Sequence, residues 1–378
     1  MPAFADSPVD LIALQPNATK DFIRFPWQVY AHDHQWVPPL NIERKMFLNP
    51  RKNPFFQHAQ VQLFLARRQG QVVGRIAAVV NTAHDEYHNE RAGFFGLFEC
   101  LPEAEVASVL LNAAQSWVRE RGATFLRGPM NLSTNELDCG LLVEGFDAPP
   151  VFQSAYNPPY YASLLEACGF TKCKDLLAFS RSAEEPLAQS LLDAIARLQA
   201  QQNIRIRTVN MREFKAEVAC ITMIYNEAWR DNWGFVPITD AEAQHMAQAL
   251  RLAVIPELTL LAEIDGEPVG CFVAISDLNQ VLHSMRGRLT PWSVVRFLYH
   301  RRHIDTARIA MMGVKKRYRR LGIDLMLLVE SWRQGQKRGI CRGEMAWVLE
   351  DNRVMVRTLE VIGAQLSKRY RLYQKNLL

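Results

Sequence analysis

Leu65-Ala66-Arg67-Arg68-Gln69-Gly70-Gln71-Val72-Val73-Gly74-Arg75-Ile76-Ala77-Ala78 and Leu261-Ala262-Glu263-Ile264-Asp265-Gly266-Glu267-Pro268-Val269-Gly270-Cys271-Phe272-Val273-Ala274 carry Leu-Ala, Gly, Val-Gly and Ala at the same internal spacing. Each predicts two strands joined by a tight turn at Gln69-Gly70 or Asp265-Gly266. The elements that follow repeat in the same order. A helix opened by Pro102 and Glu103 presents Val106, Val109, Leu110, Ala113 and Trp117 and stops at Gly122; its counterpart starts near Ile323, presents Met326, Leu327, Val329 and Trp332, and stops at Gly339. Strands follow at 124–127 and 341–349. Each half closes with a helix broken by a glycine, Leu164–Phe170 and Leu359–Ala364, and a last strand. A succession of matching elements predicts a tandem duplication. The order combines an antiparallel hairpin with strands joined through helices, which is an α/β chain with a mixed sheet. The division falls at 1–182, a linker 183–203, and 204–378. Leu187, Leu191, Leu192, Ile195 and Leu198 give the linker a helical stripe that should pack.

Length and composition suit two domains. The 378 residues are 49% hydrophobic and 22% charged, which excludes a disordered chain. A net charge of +5 does not by itself indicate a nucleic-acid partner, but Lys315, Lys316, Arg317, Arg319 and Arg320 are concentrated in one short stretch. The seven cysteines form no C-x-x-C pair, which fits a reducing compartment. His32-Asp33-His34 lacks a third ligand, so no metal is expected. The start at Met1 has no signal-peptide pattern and no apolar run is long enough to span a bilayer. The expected location is cytoplasmic, with contact to the inner membrane as an option.

Ile309-Ala310-Met311-Met312-Gly313-Val314 leads through the basic cluster into Arg319-Arg320-Leu321-Gly322-Ile323-Asp324. An apolar strand, a valine, and Arg-x-x-Gly opening a helix resemble the donor segment of the GCN5-related N-acetyltransferase (GNAT) superfamily. The resemblance implies two tandem acyl-CoA N-acyltransferase (GNAT-like) domains, with acyl-coenzyme A as co-substrate of the second. The physical argument stands beside it. A helix start offers unpaired amides and the positive dipole end to a diphosphate, and Gly322 lets the backbone come close. Met312, Gly313, Val314, Arg319, Arg320, Leu321, Gly322, Ile323 and Asp324 are therefore the donor-site candidates. Asp324 replaces the family's small residue with a carboxylate. Asn352 matches a donor-contacting asparagine of the family, but Leu359 stands where the family has a tyrosine acid, which leaves Tyr373 as a candidate proton source. The first half lacks the arginine and the glycine, and carries Glu99, Glu103 and Glu105 instead; it reads as a degenerate copy.

Direct attack of an amine on the thioester needs a base and an oxyanion site. Glu344, Glu350 and His283 are the candidate bases, and the amides of Gly313 and Val314 the candidate oxyanion donors. The polar run 127–136 with Tyr156, Asn157 and their neighbours concentrates amides and phenols on loops. It makes Asn131, Asn135, Tyr156 and Asn157 candidate substrate contacts, or else turn and cap residues. Residues 291–303 form an extra basic, aromatic amphipathic helix, either a lid docked on its own domain or a face in a lipid interface. Tandem members of the superfamily acting on sphingoid amines imply a small-molecule or lipid amine as acceptor. An inert scaffold with this fold is the competing reading. A nucleic-acid binder is disfavoured, because the aromatics are not interleaved with the basic run.

Overall fold

The computed structural model describes residues 7–15, 18–201 and 203–377. The first half runs β1 (Asp10–Ala13), α1 (Lys20–Arg24), α2 (Pro26–Val29), α3 (Asn41–Phe47), β2 (Ala59–Arg68), β3 (Gln71–Asn81), α4 (Thr82–His88), β4 (Ala92–Cys100), α5 (Ala104–Arg119), β5 (Phe125–Gly128), β6 (Leu141–Glu144), α6 (Tyr161–Ala167) and β7 (Thr171–Ser182). The second runs α7 (Gln189–Gln201), β8 (Ile204–Thr208), α8 (Phe214–Ala228), α9 (Asp240–Leu250), β9 (Leu260–Ile264), β10 (Glu267–Ser276), α10 (Asn279–Leu282), α11 (Pro291–His300), β11 (Thr306–Val314), α12 (Ile323–Arg338), β12 (Arg342–Leu349), α13 (Arg353–Val361) and β13 (Gln365–Asn376).

Two compact units result. Unit 1 holds residues 1–176, 282–293 and 368–378; unit 2 holds 177–281 and 294–367. The units thus differ from the contiguous division read from the sequence. Most of β13, the last strand of the chain, belongs to unit 1, where it pairs antiparallel with β5 and β6.

Within unit 1, β1 to β4 pair antiparallel and β4 pairs parallel with β5. Unit 2 repeats the plan: β8 to β11 are antiparallel, and β11 pairs parallel with β12. Each unit mixes antiparallel and parallel strand pairs, as the order of elements predicts. Gln69-Gly70 and Asp265-Gly266 have φ of 50°, 79°, 49° and 81°, the paired positive values of a two-residue hairpin turn.

The second glycine of the repeat has a packing reason. A Cβ on Gly74 would sit 2.6 Å from Leu110 of α5, and one on Gly270 would sit 3.2 Å from Ile323 of α12. In both units the crossover helix lies close on the second hairpin strand. The buried face of α5 is Val106, Ala107, Leu110, Leu111, Ala114 and Val118. It is rotated from the expected stripe, because Val109, Ala113 and Trp117 lie at its margin; Trp117 instead stacks under Arg121, 3.8 Å from the ring centroid. Full burial of a leucine contributes about 2 kcal/mol. The stripe of α7 packs into the core of unit 2 with α12, as its spacing predicts.

Candidate functional site

The two parallel partners of unit 2 separate part-way along. β11 and β12 are paired from Thr306–Arg342 to Ile309–Met345 only, although β11 continues to Val314 and β12 to Leu349. At the same level β11 bulges: Ala274 and Val273 of β10 face Ile309 and Met311, which leaves Ala310 as the extra residue. Beyond the bulge β11 has no partner on the β12 side in the register of the described residues. The Lys315 amide donates to Val269 of β10 over 2.9 Å, and the Gly313 amide is directed at Cys271 of β10. Amides alternate along a strand, so those of Met312 and Val314 face the β12 side. The sequence reading paired Gly313 with Val314 for this duty; the alternation pairs Met312 with Val314.

The bulge also sorts side chains between faces. Ala307, Ile309, Met312 and Met345 join the cluster around α12, whereas Met311 joins the one around α8. Arg308 and Glu344 alternate with the α12-facing residues and therefore point to the α8 side. They are register neighbours across the parallel pair, 0% and 4% exposed. Over the same face α8 ends in Trp229, whose ring occupies the place of a Gly313 side chain: a Cβ there would lie 2.1 Å from it. Tyr225 packs beside Trp229 at 4.8 Å and beside Phe235 at 5.5 Å between ring centroids, completing an aromatic wall. Arg308 and Trp229 escaped the sequence reading. The one available signal was a lone arginine inside the apolar run 307–314.

The loop from Val314 to α12 is held from outside. Glu267 accepts from Lys315 at 3.0 Å, from Tyr318 at 2.9 Å and from Arg317; Lys316 pairs with Asp231 at 2.8 Å. Arg319 donates to the carbonyls of Val314 (3.3 Å) and Ala228. Its guanidinium thus ties the end of β11 to the end of α8. Arg320 and Leu321 lead to Gly322, the N-cap of α12, with φ of 75° at Arg320 and 71° at Gly322. No side chain caps this helix start, and Ile323, Asp324 and Leu325 form its first turn. Its amides are the free donors that a diphosphate requires.

The Lys315 ammonium, with Tyr318 and Arg317, pulls the Glu267 carboxyl down to about 2 from an ordinary 4.5. A depressed carboxylate stabilises the fold fully above its unfolded value and stops doing so as pH falls through its folded value. Thermal midpoints should therefore fall between about pH 4.5 and about pH 2 in the wild type. Glu267→Gln should show a flatter fall over that window, and identical profiles would contradict the tether.

Other candidates lie elsewhere. Asn352 is the N-cap of α13, accepting from the Met355 amide at 3.2 Å, and Glu350 lies in the turn before it. Tyr373 belongs to unit 1, is 1% exposed and donates to Glu166 at 3.0 Å; burial, then Glu166, pushes its hydroxyl up to about 12. His283 also belongs to unit 1, with Nε2 3.0 Å from the His34 carbonyl. Glu344 and Glu350 share a unit with the donor segment, and of the two only Glu344 is buried.

Unit 1 carries the same divergence of strands, but fills it. β4 pairs with β5 only over Ala92–Phe94. Beyond that the loop after Gly128 enters: the Met130 amide donates to Phe95 at 2.7 Å, and Asn131 accepts from the Leu97 amide at 2.8 Å while donating to the Asp138 carbonyl at 3.1 Å. Asn157 accepts from the Leu142 amide and donates to the carbonyls of Leu142 and Pro158. The Asn135 amide turns back to Ser133 at 3.0 Å, and Tyr156 donates to Asp33 at 2.7 Å. Of these bonds the Asn135–Ser133 contact is a local turn, and those of Asn131 and Tyr156 join distant parts of unit 1. At the start of α5, Glu103 and Glu105 bind Arg68. Half-buried Glu99 accepts from Tyr30 and Tyr161 at 2.9 and 2.7 Å.

Among the described residues no His, Cys, Asp and Glu group could hold a metal, and no helix is long and apolar enough to cross a membrane. No family profile matches the chain. It is 36% identical over 369 residues to the bacterial ceramide synthase of Caulobacter vibrioides, covering 96% of each chain. It is 36% identical over 374 residues to Protein YghO of Escherichia coli, covering 96% of this chain and 94% of that one. In fold it is similar to a tandem GNAT protein from the clavulanic acid biosynthesis pathway, with a TM-score of 0.57 at 13% identity over 98% of this chain and 99% of that one.

Proposed function

We propose that this chain, which belongs to the family of the bacterial ceramide synthase and Protein YghO and has the tandem GNAT fold, transfers an acyl group from acyl-coenzyme A to the nitrogen of a long-chain, sphingoid-type amine, in the cytoplasm and at the inner-membrane surface. The observation that carries the reading is the edge of β11 that loses its β12 partner. It ends at an uncapped helix start on one side and has a buried carboxylate on the other face. The diphosphate would lie on the amides of the first turn of α12, with Arg320 beside it. The thioester arm would lie along the Met312 and Val314 amides, one of which receives the oxygen as the carbonyl becomes tetrahedral.

The acceptor would approach from the α8 face. There Glu344 takes a proton from the ammonium, the freed nitrogen bonds to the carbonyl carbon, the carbon–sulfur bond breaks, and the extra proton left on the nitrogen passes to the departing thiolate, which gives the amide and free coenzyme A. The wall of Tyr225, Trp229 and Phe235 supports an apolar acceptor, because it would cover a hydrocarbon chain and exclude water. The ceramide synthase name of a 36% identical relative supports the sphingoid class.

Calorimetric titration with coenzyme A, followed by transfer assays with acetyl and palmitoyl donors and sphinganine, tests the reading. Absence of binding by folded protein would leave a scaffold with this fold. Gly322→Val is the companion variant. Its φ of 71° costs a side chain about 1–2 kcal/mol, and the new Cβ would press on Leu198 at 3.2 Å. Donor affinity should fall about tenfold or more, with circular dichroism unchanged; unaltered affinity would remove the helix start from the site.

A further inference from the structure

The helix α11 has no buried residue: Trp292 is 80% exposed, Tyr299 66% and Val295 58%. This corrects the expectation of a lid docked on its own domain. A helix that leaves such a face in water needs an occupant. Its base is fixed. Asn41 of α3 binds the Gly287 carbonyl through both its amide groups at 3.1 Å, and a Cβ on Gly287 would collide with Trp27 at 2.4 Å. Between this base and α3 lies a shallow groove of about 460 Å³, bordered by Ile42, Lys45, Arg288 and Leu289. Ile42 and Leu289 are exposed at its rim.

We infer that the exposed helix α11 is the docking surface for an anionic lipid bilayer, with Trp292, Val295 and Tyr299 entering the interface and the neighbouring arginines meeting lipid phosphates. The inference deepens the reading of a membrane-surface enzyme and rests on it for location, not for chemistry. Charge selects the occupant. From Leu278 to Ile304 the chain has five arginines (286, 288, 296, 301 and 302) and no aspartate or glutamate. A second copy docking through the same face would bring like charges together. An anionic leaflet satisfies both the arginines and the apolar stripe, and Arg296 lies next to the stripe by helical spacing.

Flotation of the full-length chain with vesicles tests this. Pure phosphatidylcholine is compared with phosphatidylcholine containing roughly one-third phosphatidylglycerol. Wild type should float with the anionic vesicles and release at high salt. Each arginine near the surface is worth about fivefold, so Arg296→Glu, Arg301→Glu and Arg302→Glu together should cost more than about a hundredfold. Trp292→Ser with Val295→Ser should cost about tenfold or more, since the apolar contact is lost. All these side chains are exposed, and coenzyme A titration of the same variants should match wild type, reporting the donor site separately. The inference is overturned if wild type stays soluble beside anionic vesicles, or if either variant floats undiminished. A dimer split by the Trp292 variant without flotation overturns it in favour of a second copy, and an RNA gel shift without flotation in favour of nucleic acid. None of these outcomes alters the result of the coenzyme A titration.

Discussion

Glu344→Gln is expected to lower kcat for acyl transfer about 10²-fold or more, with little change in the KM for the donor. The amine arrives as an ammonium and cannot attack the thioester until its proton is removed. Glu344 is 4% exposed on the α8 face, where the strands begin to part, so bulk water has little access to do this work. The amide keeps the volume of the side chain and removes only its basicity. Because Arg308 is the register neighbour across the strand pair, a purely structural role must be separated from a catalytic one. A structural role predicts a lowered thermal midpoint and weakened donor binding, with kcat falling only in proportion. A catalytic role predicts normal coenzyme A binding, a large loss of kcat, and partial recovery in Glu344→Asp. Full kcat in the glutamine variant would exclude this carboxylate as the base.

Gly96→Ala, in unit 1, is expected to destabilise the protein by about 3 kcal/mol, at the upper end for overpacking. Its Cβ would lie 1.8 Å from the Met130 carbonyl oxygen and 2.6 Å from the carbonyl carbon. These are backbone atoms that no rotamer change can move. The loop after Gly128 would have to leave the divergence between β4 and β5, breaking the Met130–Phe95 and Leu97–Asn131 hydrogen bonds. Hydrogen exchange should accelerate across residues 92–100 and 129–140. Wild-type protection there would mean that the loop does not plug the gap. The plug also gives a physical reason for reading unit 1 as a copy without a donor site. Where β11 of unit 2 loses its β12 partner, the matching edge of β4 is filled by the loop after Gly128.

The repeat was legible because its signals are local. A turn needing positive φ at two successive residues, a glycine under a close helix, and a helix that stops at Gly339 each leave a mark at one position. The start of α12 was legible for the same reason. The amide-bearing residues were not. Asn131, Asn157 and Asn352 have the same side-chain chemistry whether they serve a ligand or their own backbone, and all three bond to backbone amides. Tyr373 has the chemistry of an acid, but its strand carries it into the core of unit 1.

The duplication, the α/β class, the hairpins and the amide-rich entrance to α12 were thus determined by sequence alone, since each follows from periodicity or from backbone freedom at named residues. Three things were decided only by tertiary structure: the end of β11–β12 pairing at Ile309 and Met345, the face shared by Arg308, Glu344 and Trp229, and the transfer of β13 to unit 1. Strand register and partner choice depend on contacts between residues far apart in the chain, and a single extra residue such as Ala310 reverses which side chains and amides face a ligand.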